Sequence, residues 1–138
     1  MIKELTVHSK RRNELIDITA DVLSLIKKSA LKEASVNLYV PHTTAGIIIN
    51  ENADPSVKQD ILNNLSKLVP AGESSYTHLE GNADSHIKAS LVGISACIPI
   101  KDGELLLGRW QGIFFAEFDG PRTRKVIVQI SGISGVVA

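Results

Sequence analysis

The stretch Gly112-Ile113-Phe114-Phe115-Ala116-Glu117-Phe118-Asp119-Gly120-Pro121-Arg122-Thr123-Arg124-Lys125-Val126-Ile127-Val128-Gln129-Ile130-Ser131 decides the fold class. Two runs rich in β-branched and aromatic residues, 112–118 and 124–131, are joined through Asp119-Gly120-Pro121-Arg122, a turn composition. In the first run, strand alternation puts Phe114, Ala116 and Phe118 on one face and Ile113, Phe115, Glu117 and Asp119 on the other. Upstream, Ile98 to Leu107 holds Asp102-Gly103, a strong hairpin signal, and Pro99 moves its first arm toward a sheet edge. Asn82 is placed to cap a helix in which Ala83, Ile87 and Leu91 stand one above another, with Gly93 as its stop.

The polar loop 71–80 precedes that helix. Before the loop, Asp54-Pro55 opens another helix, with Val57, Ile61, Leu65 and Leu68 as its core stripe and Pro70 at its end. Ile47-Ile48-Ile49 reads as a strand covered on both faces, and the alternating Val36, Leu38 and Val40 as a half-buried one. Thr19 is the expected N-cap of a first helix carrying Val22, Leu25, Ile26 and Ala30, with Lys27 and Lys28 at its C-terminal end. Segments 2–8 and 14–18 read as short strands split by Ser9-Lys10-Arg11-Arg12-Asn13. About eight strands and three helices, without strict strand-helix alternation, predict an α+β fold with a largely antiparallel sheet in two packed layers.

A chain of 138 residues has room for one core, so a single domain over 1–138 is expected. Lys and Arg number 15 and Asp and Glu number 15, so there is no basic excess of the kind a duplex-binding domain uses to neutralise phosphates, and no nucleic-acid partner is expected. The lone Cys97 forbids an intramolecular disulfide and, in an apolar stretch, reads as a small buried hydrophobe. Ala89 to Ile100 is too short and too broken by Gly93 and Pro99 to span a bilayer, and no secretory pattern opens the chain. A cytoplasmic location is the default expectation.

Of the four histidines, His8 sits at a strand end and reads as a surface residue. His42 follows a strand and precedes Thr43-Thr44, His78 lies in the polar loop, and His86 lies one turn into the Asn82 helix. Imidazoles are common zinc ligands, but this spacing alone fits individually hydrogen-bonded histidines as well as a shared site. Glu117 and Asp119, two same-face acids at a strand end, need a cation nearby, either a metal or Arg122. Arg122 is suited to bidentate phosphate binding or to a salt bridge with Asp119. Trp110, beside Gln111, fits core packing or a flat wall for an aromatic ring. Thr43, Thr44 and Asn82 offer neutral hydrogen bonds. Phosphate-loop, dinucleotide-fold, nucleophile-elbow and paired Cys-x-x-Cys motifs are missing from the sequence.

Taken together, Pro41-His42-Thr43-Thr44-Ala45, Asn50-Glu51-Asn52-Ala53-Asp54-Pro55, His78, Glu80-Gly81-Asn82-Ala83-Asp84-Ser85-His86, Leu107-Gly108, Trp110-Gln111 and Glu117-Phe118-Asp119-Gly120-Pro121-Arg122 form a series that resembles the YjbQ-like family of secondary thiamine-phosphate synthases. The resemblance runs from about residue 5 to residue 132. It implies an α+β, β-sandwich-like body, a homotrimer, and a pocket that gathers His42, His78 and His86 around a divalent metal, Zn or Mg, or an anion. It also implies catalytic roles for these histidines with Glu117 and Asp119, and substrate binding by Thr43, Thr44, Asn82, Trp110, Gln111 and Arg122. The implied reaction joins a pyrimidine-methyl diphosphate to a thiazole phosphate and releases pyrophosphate. Two alternatives stand beside it. One is a metal-dependent hydrolase of a small phosphorylated or cyclic-amide compound, since three imidazoles suit a softer ion than the Mg²⁺ of diphosphate enzymes. The other is a non-catalytic trimeric module that binds a small anionic metabolite.

Overall fold

A computed structural model describes residues 1–132. The chain runs β1 (Ile2–His8), β2 (Glu14–Asp17), α1 (Thr19–Ser29), β3 (Ala34–Tyr39), β4 (Ala45–Glu51), α2 (Pro55–Leu68), α3 (Ala83–Val92), β5 (Ser95–Lys101), β6 (Glu104–Leu105), β7 (Gln111–Glu117) and β8 (Thr123–Gly132). The expected α+β class holds: two antiparallel sheets, one of five strands ordered β1-β8-β3-β5-β6 and one of three ordered β2-β7-β4. Residues 133–138 of the expected domain lie outside the described residues.

Strand periodicity builds the core between the sheets. Val36, Leu38, Val126, Val128 and Ile130 point in from the large sheet and meet Ile47, Ile113 and Phe115 from the small one, with Val22 and Ile26 of α1 closing the layer. The other face of the small sheet is also covered, as the Ile47-Ile48-Ile49 run predicts. There Leu15, Phe114, Ala116 and Phe118 pack with Ile48 beneath Ile61, Leu62 and Leu65 of α2 and Ala89 and Val92 of α3. The division of β7 between two apolar layers follows the two-residue alternation.

Several helix signals act as expected. Asp54 accepts the Ser56 N–H at 2.9 Å, with Pro55 as the first helical residue. Asp102 and Gly103 both take positive φ, 53° and 76°, the backbone of the tight hairpin between β5 and β6. Pro99 lies where this hairpin is thin: its carbonyl accepts from Leu106 on the side away from β3, so its missing N–H breaks no bond to β3.

Four expectations need correction. Thr19 is already helical and Ile18 is the N-cap residue, without a side-chain cap bond; from one residue further out, the Asp17 carboxylate takes both the backbone N–H and the hydroxyl of Thr19. Cys97 is exposed, because Ile98 and Ile100 take the inward positions of β5 and alternation turns Cys97 outward. No residue of α2 is fully buried, and Leu68 is 76% exposed. The Ala83-Ile87-Leu91 line of α3 is the wrong face: Asp84, Ser85, Lys88 and Ala89 are buried, whereas Leu91 is 63% exposed. The buried charges of α3 are stable only because Arg12 makes paired 2.9 Å bonds to Asp84 and Lys88 reaches Asp84 and Asn13 at 3.2 Å.

Among the described residues, no helix is long and apolar enough to cross a membrane. The α3 end reaches β4 through Gly46. A Cβ there would collide with the carbonyl oxygen of Gly93, which instead accepts the Ile47 N–H at 3.0 Å. Gly46→Ala is therefore expected to cost about 1–3 kcal/mol by overpacking, read as a lower urea midpoint. An unchanged midpoint would mean that α3 is not held this close to β4.

Candidate active site

At one end of the sandwich, Arg124 is the first inward-facing residue of β8, in the row continued by Val126, Val128 and Ile130. Glu117 ends the β7 row that faces the same core. The two meet in a buried ion pair, Arg124 Nε to Glu117 Oε1 at 2.9 Å and Nη2 to Oε2 at 2.5 Å. The Ser9 hydroxyl donates to Glu117 Oε1 at 2.7 Å and the Asp119 N–H to Oε2 at 3.1 Å. Arg124 also donates to the Thr44 hydroxyl oxygen at 2.7 Å. Burial pushes the Glu117 carboxyl up, but Arg124, Ser9 and the Asp119 amide together outweigh it and hold the pKa below the ordinary value.

Above this pair opens a cavity of about 420 Å³, lined by Pro41, His42, Thr43, Thr44, His78, Glu80, Asn82, His86, Asp119, Arg122 and Arg124. The three histidines that the sequence singled out therefore reach one cavity from separate places: the β3–β4 connection, the loop before α3, and the first turn of α3. The His78 and His86 rings meet edge to face, 5.0 Å between centroids. His42 stands apart from them in one respect, since its Nε2 accepts the Lys125 backbone N–H at 2.9 Å. A second cavity of about 410 Å³ shares His42, Thr43 and His86 with the first and continues along α3 over Ala89, Ser90, Gly93 and Ile94.

Asn82 does not cap α3 with its side chain. Its amide donates to Asp119 Oδ2 at 2.8 Å, while its Oδ1 is buried with no partner among the described residues. Arg122 donates to the Asp119 carbonyl at 2.8 Å and to Asp119 Oδ2 at 2.9 Å, and its side chain remains 52% exposed. Burial raises the Asp119 pKa, but the bonds from Asn82 and Arg122 outweigh it, so the group is held below its ordinary value as a carboxylate. The cations that the paired acids required are thus two arginines, one for each acid.

Not every expected residue reaches the cavity. Glu117 lies beneath it, fully buried and spent on Arg124 and Ser9. Trp110 and Gln111 lie at the far end of β7, six residues from Glu117, or about 20 Å along a strand. There Trp110 stacks under the Arg109 guanidinium at 4.9 Å, and Gln111 closes a turn by accepting the Gly108 N–H at 2.7 Å. Arg124, Ser9 and Glu80 escaped the sequence reading. Arg124 carried a legible signal, because an arginine in the inward register of a Val-Val-Ile strand demands a buried anion.

The donor set bears directly on the divalent metal that the resemblance implies. A three-imidazole site needs a free lone pair on each ring. His42 Nε2 has given its lone pair to Lys125, and no group of three or more His, Cys, Asp or Glu side chains among the described residues is placed to hold an ion. A three-histidine centre does not fit these residues as one chain arranges them.

A family model described as "UPF0047 protein YjbQ-like" matches residues 3–133. UPF0047 protein MJ1081 of Methanocaldococcus jannaschii is 58% identical over 132 residues, covering 96% of this chain and 95% of that protein. UPF0047 protein YugU of Bacillus subtilis is 44% identical over 132 residues, covering 96% of this chain and all (100%) of the relative. The solved structure of hypothetical protein APE1520 from Aeropyrum pernix K1 matches with a TM-score of 0.91 at 34% identity, covering 96% of this chain and 99% of its own. A yjbq/upf0047-family protein from Clostridium acetobutylicum matches with a TM-score of 0.90 at 50% identity, covering 94% and 99%.

Replacing Glu117 by Gln keeps the shape but leaves Arg124 buried without a counter-charge, an expected loss of about 3 kcal/mol in urea unfolding at neutral pH. The pH dependence has a definite sign. The folded pKa of Glu117 lies below its ordinary 4.5, so its contribution is complete above that value and is lost as pH falls through the folded one. Glu117→Gln should therefore lose stability less steeply on acidification than the parent. Parallel acid curves would show that Glu117 is not the group responsible.

Proposed function

The chain belongs to the UPF0047 family of YjbQ-like proteins, and on that premise we propose that it acts on a small phosphorylated substrate in the His42–His78–His86 cavity. The reading is a thiamine-phosphate-synthase-like transfer that joins a pyrimidine-methyl diphosphate to a thiazole phosphate with loss of pyrophosphate. One observation carries it: three histidines, Arg122 and the N-terminal turn of α3 converge on one polar cavity beside a second, less polar one. Such a transfer needs donors for the departing diphosphate and a dry slot for the ring that becomes cationic.

The supply of donors is specific. Arg122 binds Asp119 through Nε and Nη2, leaving its other guanidinium nitrogen for a phosphate oxygen. The backbone N–H groups at the start of α3 add the partial positive charge of a helix N-terminus. Thr43, exposed at the cavity, adds a hydroxyl. The ring slot is assigned to the second cavity, over Ala89, Gly93 and Ile94, instead of to the distant Trp110. His86, shared by both cavities, stands where diphosphate and ring would join, in position to pass a proton to the departing pyrophosphate; the thiazole nitrogen attacks through its lone pair and exchanges none. Glu117 acts from below by holding Arg124, and so Thr44, in place. A cytoplasmic location belongs to the same proposal.

The test is a synthase assay with both phosphorylated halves, reading product and released pyrophosphate. Wild-type protein should turn over, Arg122→Ala should lose about 10²-fold in kcat/KM from one transition-state donor, and His86→Ala should lose at least as much. A wild type that binds the diphosphate without product would move the assignment to a binding module.

We also propose self-association as a homotrimer. Ile87 and Leu91 stand four apart on the open face of α3 beside the cavities, and Leu79, next to His78, is fully exposed. Leu91→Asp is expected to shift the sedimentation-equilibrium mass from trimer to monomer. A wild-type mass of one chain would refute the trimer.

A further inference from the structure

The bond from Lys125 to His42 decides more than the metal question. A backbone N–H only donates, so the Nε2 that accepts it at 2.9 Å must present a bare lone pair. In a neutral imidazole the proton then resides on Nδ1. Protonating the ring would place a second hydrogen at Nε2, against the Lys125 amide, and break the bond. Burial lowers the His42 pKa, and the nearby Arg124 charge lowers it further, against a smaller opposing pull from Glu117. The neutral form is the one the surroundings favour.

Nδ1 is the remaining polar atom of the ring, and nothing among the described residues hydrogen-bonds it. His42 lines both cavities, with Thr43 and His86 beside it. A nitrogen in this state can neither take a proton nor ligate a metal, but it can donate.

We infer that His42 is locked as the Nδ1–H tautomer by the Lys125 backbone and serves the cavity as a neutral hydrogen-bond donor to a ligand oxyanion. The donor role rests on the phosphorylated-substrate reading above; the tautomer does not. The role differs from that of His78 and His86, whose rings make no backbone bond that fixes a tautomer among the described residues. It also gives the cavity a donor that adds no formal charge and leaves the Arg122–Asp119 pair intact.

Two measurements on the intact protein test the two parts separately. With ¹⁵N-labelled histidine, long-range ¹H–¹⁵N correlation should show His42, assigned by its loss in His42→Ala, with a protonated Nδ1 and an unprotonated Nε2 at neutral pH. An Nε2–H pattern would overturn the inference at its root. Titration with inorganic pyrophosphate then tests the donor. In His42→Asn the side-chain amide can stand where ring Nδ1 stood, so its affinity should stay within about threefold of wild type. His42→Gln places its amide at the Nε2 position instead and should weaken binding roughly tenfold or more, as His42→Ala should. Equal affinities for all four proteins would overturn the donor role while leaving the tautomer. A wild type that binds no pyrophosphate would overturn the phosphorylated-substrate reading together with the donor role, and the tautomer would still be decided by the spectrum.

Discussion

The buried Arg124–Glu117 pair is the constraint on which this end of the molecule depends. Arg124 belongs to the five-stranded sheet and Glu117 to the three-stranded one, so the pair ties the two layers together where the apolar core stops. Two charges withdrawn from water carry a desolvation penalty that only complete hydrogen bonding offsets. That requirement recruits Ser9 from the β1–β2 turn, the Asp119 amide from the β7–β8 turn, and Thr44 from the entry to β4. Ser9 also accepts the Arg122 N–H at 2.8 Å, which fixes the start of β8. A one-residue slip of β8 would turn Arg124 to solvent and Lys125 inward, so the same pair enforces strand register. The cavity is the exposed rim of this arrangement, and its geometry follows from the buried charges below it.

A second buried network holds the opposite wall. Asp84 and Lys88 are almost fully buried on α3, and Arg12 and Asn13 in the β1–β2 turn meet them. The turn thus supplies Ser9 to one network and Arg12 to the other. Gly120 sits between them, where a Cβ would strike the Arg11 carbonyl oxygen and the Ser9 hydroxyl, so the β7–β8 turn can come this close only with glycine. His86 is carried on the helix that Arg12 fixes, and His42 on the segment whose next residues Arg124 fixes. Both rings are therefore carried on segments anchored by ion pairs, Arg12–Asp84 for α3 and Arg124–Glu117 for the entry to β4.

Much of the fold was legible because period-two alternation is a strong local signal. It placed Phe114, Ala116 and Phe118 apart from Ile113 and Phe115, and it predicted cover on both faces of Ile47-Ile48-Ile49. The α3 face was misread because Ile87 and Leu91 are apolar and Asp84 and Lys88 are charged. Hydrophobicity alone cannot show that Arg12, about seventy residues away, makes the charged face the buried one. Cys97 was misread for a related reason: an apolar neighbourhood says nothing about which strand face a residue occupies. His42, His78, His86, Thr43, Asn82 and Arg122 line one cavity, which spacing left open and only the family resemblance implied, because convergence of distant segments carries no local signal. Trp110 was drawn in by its rarity, although β7 runs the length of the sandwich and carries it to the other end. Arg124 stands in a strand run whose hydrophobicity gives no sign of a site; only the facing of β8, which turns it inward with Val126, Val128 and Ile130, marks it as a buried charge.

The cavity's charge balance bears on the proposed phosphorylated substrate. Each arginine near it faces a carboxylate: Arg124 with Glu117, Arg122 with Asp119, and Arg12 with Asp84. Glu80 adds a further acid to the lining. A site built to attract anions by net field would leave its cations unpaired. Here the carboxylates hold the guanidinium groups in fixed orientation, so the proposed phosphorylated ligand would be held by directed donors: the free Arg122 nitrogen, the Thr43 hydroxyl, the α3 N-terminus and, as inferred above, the His42 ring. Directed donors discriminate by geometry, and their strength is less eroded by salt than that of a diffuse positive surface. A diphosphate, with several oxygens spread along its length, can satisfy donors arriving from different elements at once, whereas a single small anion satisfies few of them. Within the proposed function, the pairing of the arginines therefore fits an extended, oxygen-rich head group better than a single small anion, with the ring assigned to the second cavity.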